Sequence, residues 1–231
     1  MDKQRHPEIS GCLFMFFIDK AKKEVYYNYR YITTVITIGG ENDVPPRTRI
    51  TKDMIIDAAI EVVKQSGFEN INARTVSGQL HCSTQPVMYH FSTIEAMKRA
   101  VYARVDHLHS EYLMTIPPEQ DPVLEIGLNY IRFAVEEPQL FRFLFQSGYA
   151  RENSLVEMID SEELIPVLAA MQEGTGLSMD KTKQVFLTVA LFAHGYASII
   201  ANNSLEYDEK TVAEHLERTW NGALLAAAQE E

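Results

Sequence analysis

Between Ser83 and Phe91 the chain reads Thr84-Gln85-Pro86-Val87-Met88-Tyr89-His90, a run whose side chains suit recognition of a nucleic acid better than catalysis. On a helix, Val87 and Phe91 stand one turn apart and can face inward together, which sends Thr84, Gln85, Met88, Tyr89 and His90 outward. A glutamine amide matches an adenine edge, threonine or methionine can touch a thymine methyl, and tyrosine or histidine can reach a phosphate. A buried helix would leave those groups without partners, whereas a helix in the DNA major groove would use them. The plainer alternative is a polar surface helix in a helical bundle.

Other reactive residue types are poorly placed. His107, His109 and Glu111 could suggest a metal, yet residues two apart on a helix point away from each other. His194 has no adjacent serine or cysteine in a recognised elbow. Gly174-Thr175-Gly176 follows no strand and precedes no Lys-Ser/Thr, so it reads as a helix stop and not a phosphate loop. No catalytic residue, metal ligand or cofactor is assigned.

Periodicity supplies the elements that would hold the run in place. Met54, Ile55, Ala58, Ala59, Val62 and Val63 recur at three- and four-residue spacing, with Asp53, Asp57, Glu61 and Lys64 opposite. Thr51 can cap this helix, and Gly67 can stop it in the left-handed conformation. Asn72 can cap a second, short helix whose Val76 and Leu80 face inward. After the turn His81-Cys82-Ser83, Ser83 is predicted to cap a third helix, Thr84–His90, with Pro86 at its third position, where the missing N–H has no intrahelical acceptor to lose. Ser92-Thr93-Ile94-Glu95 reads as a capping box opening a longer helix through Met97, Val101, Val105 and Leu108. Two short helices across a three-residue turn, braced by longer ones, make a helix-turn-helix. Arg74, in the first turn of the second helix, can reach a phosphate or a guanine edge.

Charge supports this division. The net charge of the 231-residue chain is −11, which at first argues against a polyanionic partner. However, residues 44–104 carry 8 basic and 5 acidic side chains, while residues 105–231 carry 7 and 21. One part can meet a polyanion and the other cannot. Two cysteines, Cys12 and Cys82, fit a reducing compartment and hence the cytoplasm. No uninterrupted apolar run approaches the length of a membrane span, so no membrane partner is expected.

Over roughly Arg47–Val105 these residues resemble the DNA-binding domain of the TetR family of bacterial transcriptional regulators. The basic lead-in (Arg47, Arg49), Ile55–Ala59, Gly67-Phe68, Val76 and Leu80, Cys82-Ser83-Thr84-Gln85-Pro86, and Tyr89-His90-Phe91 carry the match. The resemblance implies an all-α chain: an N-terminal three-helix helix-turn-helix DNA-binding domain, then an α-helical ligand-binding and dimerisation domain. It also implies that the third helix enters the major groove and that Arg49, Arg74, Thr84, Gln85, Met88, Tyr89 and His90 are the DNA contacts. Three departures stand out. His81 occupies the turn position where glycine is usual, and so must accept or avoid positive φ; Met88 replaces a common tyrosine; and no lysine opens the fourth helix.

Further helices are expected from Asp121-Pro122, from Pro138, over Val156–Met171, over Lys181–Ala201 and over Glu209–Ala228. Leu140, Phe141, Phe143, Leu144 and Phe145 are apolar nearly all round and read as buried. The resemblance implies that the last two helices pair with a second copy in a homodimer, through small residues Ala190, Ala193, Gly195 and Ala197 and a stripe of Leu216, Trp220 and Leu224; a monomer core is the alternative. It also implies a pocket for an unidentified small-molecule effector, with Tyr130, Phe133, Phe145, Tyr149, Met171, His194 and Tyr196 as candidate walls and handles.

The expected organisation is a poorly ordered or mis-called extension (1–46), a DNA-binding domain (47–105) and an effector and dimerisation domain (106–231). Gly39-Gly40-Glu41 must be encoded by purine-rich codons resembling a ribosome-binding site, which makes Val44 a candidate alternative start. The function expected is a ligand-responsive regulator, in the commoner case a repressor, that binds a palindromic double-stranded operator. The rivals are a helical protein-interaction module and an enzyme that binds no nucleic acid.

Overall fold

A computed structural model describes residues 50–150, 155–203 and 205–229. The expectations for residues 1–49, including Arg49 as a DNA contact and Val44 as a start, lie outside the described residues.

Helix α1 (Lys52–Ser66) begins where Thr51 Oγ1 accepts from the Met54 N–H at 3.2 Å. It ends at Gly67, whose φ of 88° and ψ of 159° are not left-handed helical as expected, but lie in a region that side chains exclude. A short 3₁₀ turn (Phe68–Asn70) leads to α2 (Ala73–Gln79), where Asn72 and Thr75 form a reciprocal capping box. The turn then passes through His81 at φ 50°, so this histidine does accept the conformation that glycine usually supplies.

Two capping expectations are corrected by one residue. Helix α3 (Gln85–His90) is preceded by Thr84, not Ser83, and Thr84 already has helical angles with no side-chain cap, so Pro86 becomes the second helical residue. Helix α4 (Ile94–Leu113) is capped by Thr93, which accepts from Ala96 N at 3.0 Å. Glu95 therefore sits too early to close a capping box. Helix α4 runs unbroken past residue 105.

Asp121 caps α5 (Pro122–Glu136) by accepting from the Val123 and Leu124 N–H groups. Helix α6 (Pro138–Gln146) follows after one residue. The single helix expected over 156–171 is instead α7 (Leu155–Ile159), a 3₁₀ turn (Glu162–Leu164) and α8 (Ile165–Thr175). Pro166 is the physical reason, since a proline fits the first turn of a helix but breaks its interior. Gly176 ends α8 in the left-handed conformation (φ 71°, ψ 9°). Helices α9 (Met179–Asn203) and α10 (Glu209–Gln229) complete the fold. No strand occurs among the described residues.

Helix α5 is the hub, packed against α4, α6, α9 and α10, while α1 packs on α2, α3, α4 and α6. The apolar core is continuous from Ile55 to Ala227, and Ile50–Glu231 is one compact unit. Leu216 and Trp220 are buried inside the chain (0% and 4% exposed), as are Ala193 and Ala197, so they are core residues and not an outward stripe. The outward apolar positions are Leu191 and Ile199 on α9 and Leu225 on α10. Phe145, expected to be buried, is 40% exposed. Helix α9 is long and apolar enough on average to cross a membrane, although no uninterrupted run suggested it. Its Thr182, Val185, Val189, Ala193, Ala197, Ile200 and Ala201 are nevertheless buried, as in the core helix of a helical bundle.

Candidate nucleic-acid interface and effector site

The buried face of α3 is fixed by Val87 (0% exposed) and Phe91 (4%), with Lys52 over the Phe91 ring at 5.2 Å. The turn before it is closed by Cys82 N donating to Ser77 O at 3.0 Å. With one face so anchored, the opposite face must point to solvent: Tyr89 is 78% and Met88 45% exposed, and Thr84 and Gln85 are also exposed. Arg74 is exposed on the first turn of α2 and forms no ion pair with a described residue.

His90 departs from the outward set. It is half-buried, with Nε2 at 3.0 Å from the carbonyl oxygen of Ile50, so the ring N–H ties the end of α3 to the chain just before α1. Its ring also meets Tyr89 edge-on at 5.3 Å. It holds the end of α3 in place and does not project with the exposed set.

The basic excess of residues 44–104 is not all available to a ligand. Arg104 of α4 bridges Asp53 and Asp57 of α1 at 2.7 and 3.1 Å, Lys64 pairs with Glu137 at 2.5 Å, and Arg99 pairs with Glu95 at 3.2 Å. The Arg104 and Lys64 contacts brace α1 against α4 and α6, while the Arg99 pair lies within α4.

The effector candidates divide. Tyr130, Phe133, Phe145 and His194 come together, and Tyr130 Oη lies 2.8 Å from His194 Nδ1. Ring centroids are 5.5 Å apart for Tyr130–Phe145 and 5.4 Å for Phe145–His194. Tyr149 lies elsewhere: its hydroxyl donates to Glu95 at 2.9 Å, and its ring packs on Tyr102, Phe143 and the Arg99 guanidinium. Tyr196 pairs with Phe192 on its own helix, and Met171 is buried on α8.

Two members of the ring cluster were not anticipated. Phe141 packs on Phe145 at 4.8 Å. His109, on α4, is 6% exposed, and its ring stands edge-on to Phe133 at 4.8 Å, Tyr130 at 5.4 Å and Phe145 at 5.5 Å. Its Nε2 is buried with no hydrogen-bond partner. Burial lowers its pKa to about 4, so the imidazole is neutral at pH 7. The signal was present in the sequence, because Met97, Val101, Val105 and His109 repeat every four residues. By contrast His107 is exposed and faces Glu111 at 3.4 Å. Among the described residues no group of three His, Cys, Asp or Glu side chains could hold a metal.

Beneath the cluster, Arg132 binds Glu125 at 2.5 Å, Asn129 at 2.9 Å and Glu209 at 2.7 Å, and Asn129 donates to the carbonyls of Leu113 and Thr115. This network fastens the end of α4 and the start of α10 to α5. Next to it, burial and a hydrogen bond to Glu136 push the Tyr112 hydroxyl pKa up to about 12.

Comparison with known proteins bears on the fold. Residues 123–221 match the family model described as tetracyclin repressor-like, C-terminal domain. The chain is similar to YobS, an uncharacterised HTH-type transcriptional regulator of Bacillus subtilis (strain 168), with 21% identity over 169 residues, covering 71% of this chain and 86% of that protein. In fold it is similar to a TetR-like transcriptional regulator from Rhodococcus sp. RHA1 (TM-score 0.54, 14% identity, 78% of this chain and 98% of that one). It is also similar in fold to a second transcriptional regulator from Rhodococcus (TM-score 0.53, 14% identity, 77% and 97%).

Proposed function

We propose that the chain, whose residues 123–221 match a tetracyclin repressor-like C-terminal domain, is a TetR-family regulator that acts in the cytoplasm as a homodimeric repressor and releases a palindromic operator when a small molecule binds, without catalysis. The observation that carries this reading is the asymmetry of α3: Val87 is fully buried while Tyr89, two residues on, is 78% exposed. An exposed tyrosine and methionine on a six-residue helix have little to do in a free chain and much to do in a major groove. Thr84, Gln85 and Met88 would read base edges, Tyr89, Arg74 and Arg49 would meet the backbone, and His90 would fix the helix that presents them.

Dimerisation is supported by Leu191, Gly195 and Ile199, which are exposed on one face of α9, and by Leu225 on α10. A two-fold partner would cover them and set two α3 helices about 34 Å apart, the spacing of successive major grooves. The ring cluster is the proposed effector seat. A neutral imidazole with an unmet Nε2, walled by Tyr130, Phe133 and Phe145, suits a flat, uncharged molecule bearing one hydrogen-bonding group. Coupling can run through α6, which gives Phe141 and Phe145 to the cluster and stacks Phe143 on Phe68 beside α1. A differential of about 2–3 kcal/mol would change operator affinity roughly 30–150-fold.

The test is a gel shift on the DNA flanking the gene. Specific retardation that survives competitor DNA is expected, and Tyr89→Ala and Arg74→Ala should weaken it while the dimer persists on gel filtration. No retardation in any ligand condition, or wild-type affinity in both variants, would refute the reading.

A further inference from the structure

A cavity of about 330 Å³ opens where the end of α1 meets α6, at a place the ring cluster does not reach. Ser66, Glu69, Gln139, Arg142 and Gln146 supply its polar lining. Arg142 is half-buried and always charged. Its Nη2 donates to the carbonyl oxygen of Ala201 near the end of α9, but its Nε is buried with no partner, and no carboxylate of a described residue lies within ion-pair distance. Glu69 lines the same cavity and is likewise in no ion pair with a described residue, Arg142 included.

A cation and an anion therefore share one cavity without touching each other. A guanidinium that lines a cavity without a carboxylate partner can take one there through two parallel bonds. A plain anion would meet Arg142 but be repelled by Glu69, and a plain cation would meet the reverse. A small zwitterion satisfies both, and the volume is at the lower end of ligand sites. We infer that this cavity binds a small amino acid, its carboxylate on Arg142 and its ammonium group on Glu69, with the Gln139 and Gln146 amides serving what remains. Such a ligand would clamp α6 to the end of α1.

The inference stands apart from DNA recognition and is tested by binding alone. The full chain is titrated with glycine, L-alanine, L-serine and L-glutamine, and with acetate and methylammonium as single-charge controls, by calorimetry. At least one amino acid should bind with at least tenfold greater affinity than either control. Arg142→Gln should abolish that binding. Should this variant fail to fold, judged by circular dichroism, Glu69→Gln is the decisive variant, since Glu69 is exposed. It should weaken amino-acid binding about tenfold, the loss of one charge-assisted contact, while acetate binds no more weakly, because the repulsion of an anion is removed. No binding by any amino acid, acetate binding as tightly, or unchanged affinity in Glu69→Gln would overturn it.

Discussion

The α3 surface and the ring cluster of α4, α5, α6 and α9 treat their polar groups in opposite ways. On α3, the side chains of Thr84, Gln85 and Tyr89 are exposed and make no hydrogen bond to a described residue. In the bundle, Tyr130 meets His194, Arg132 meets Glu125, Asn129 and Glu209, and Asn129 caps two carbonyls. One region keeps its hydrogen-bonding capacity for an outside partner and the other closes it internally. The lesson is that an exposed polar residue and a buried one of the same type carry different information. The first is free to serve the proposed recognition, whereas the second builds architecture until a vacancy such as His109 Nε2 interrupts it.

Substitutions can break this contrast, and the largest effect is expected where the two regions join. Phe143 is fully buried, stacked on Phe68 at 5.4 Å and edge-on to Tyr102 at 5.6 Å. Phe143→Ala should cost about 3–5 kcal/mol in denaturant unfolding. A loss below about 1 kcal/mol would mean that the regions are only loosely joined.

His109 sharpens the contrast through pH. Its folded pKa, about 4, lies below the ordinary histidine value of 6.5. The unfolded chain therefore takes up a proton that the folded chain refuses, so stability falls as pH drops through the window from 6.5 to about 4 and is insensitive to this group above it. The shift corresponds to roughly 3 kcal/mol across that window. His109→Phe should flatten the wild-type slope by about that amount, and parallel pH profiles would show that His109 is not buried neutral.

Gly127 tests packing within the bundle. A Cβ there would lie 2.8 Å from Leu216 Cδ2, a fully buried side chain. Gly127→Ala should cost about 1–3 kcal/mol, measured by thermal and denaturant melts. The smallest effect on stability belongs to the recognition side: Arg74→Gln should leave unfolding within about 0.5 kcal/mol. It should lower the log–log salt slope of operator binding by about 1. A stability loss comparable to that of Gly127→Ala would place Arg74 in the architecture.

Much of the recognition side was legible in the sequence because it depends on local rules. Asn72 and Thr51 cap as their types dictate, and Val87 and Phe91 are buried as their spacing requires. The bundle was less legible. Aromatic residues at helical spacing do not reveal which ring meets which, so Tyr149 and Tyr196 were grouped with rings they do not touch. His90 was assigned outward because no local pattern foretells a bond to Ile50, forty residues earlier. Leu216 and Trp220 form a real stripe, but a stripe alone does not say whether the same chain or another copy covers it.

By itself, then, the sequence determined where most of the helices lie, the caps at Thr51 and Asn72 and the outward character of Thr84, Gln85, Met88 and Tyr89. Capping, periodicity and side-chain volume act over a few residues and are written in order along the chain. Tertiary structure alone decided that His109 and His194 close on one ring cluster, that Lys64 and Arg104 of the basic block are paired across helices, and that Arg142 and Glu69 share a cavity unpaired. Burial and charge pairing depend on distances between residues remote in sequence, and those distances exist only once the helices have packed.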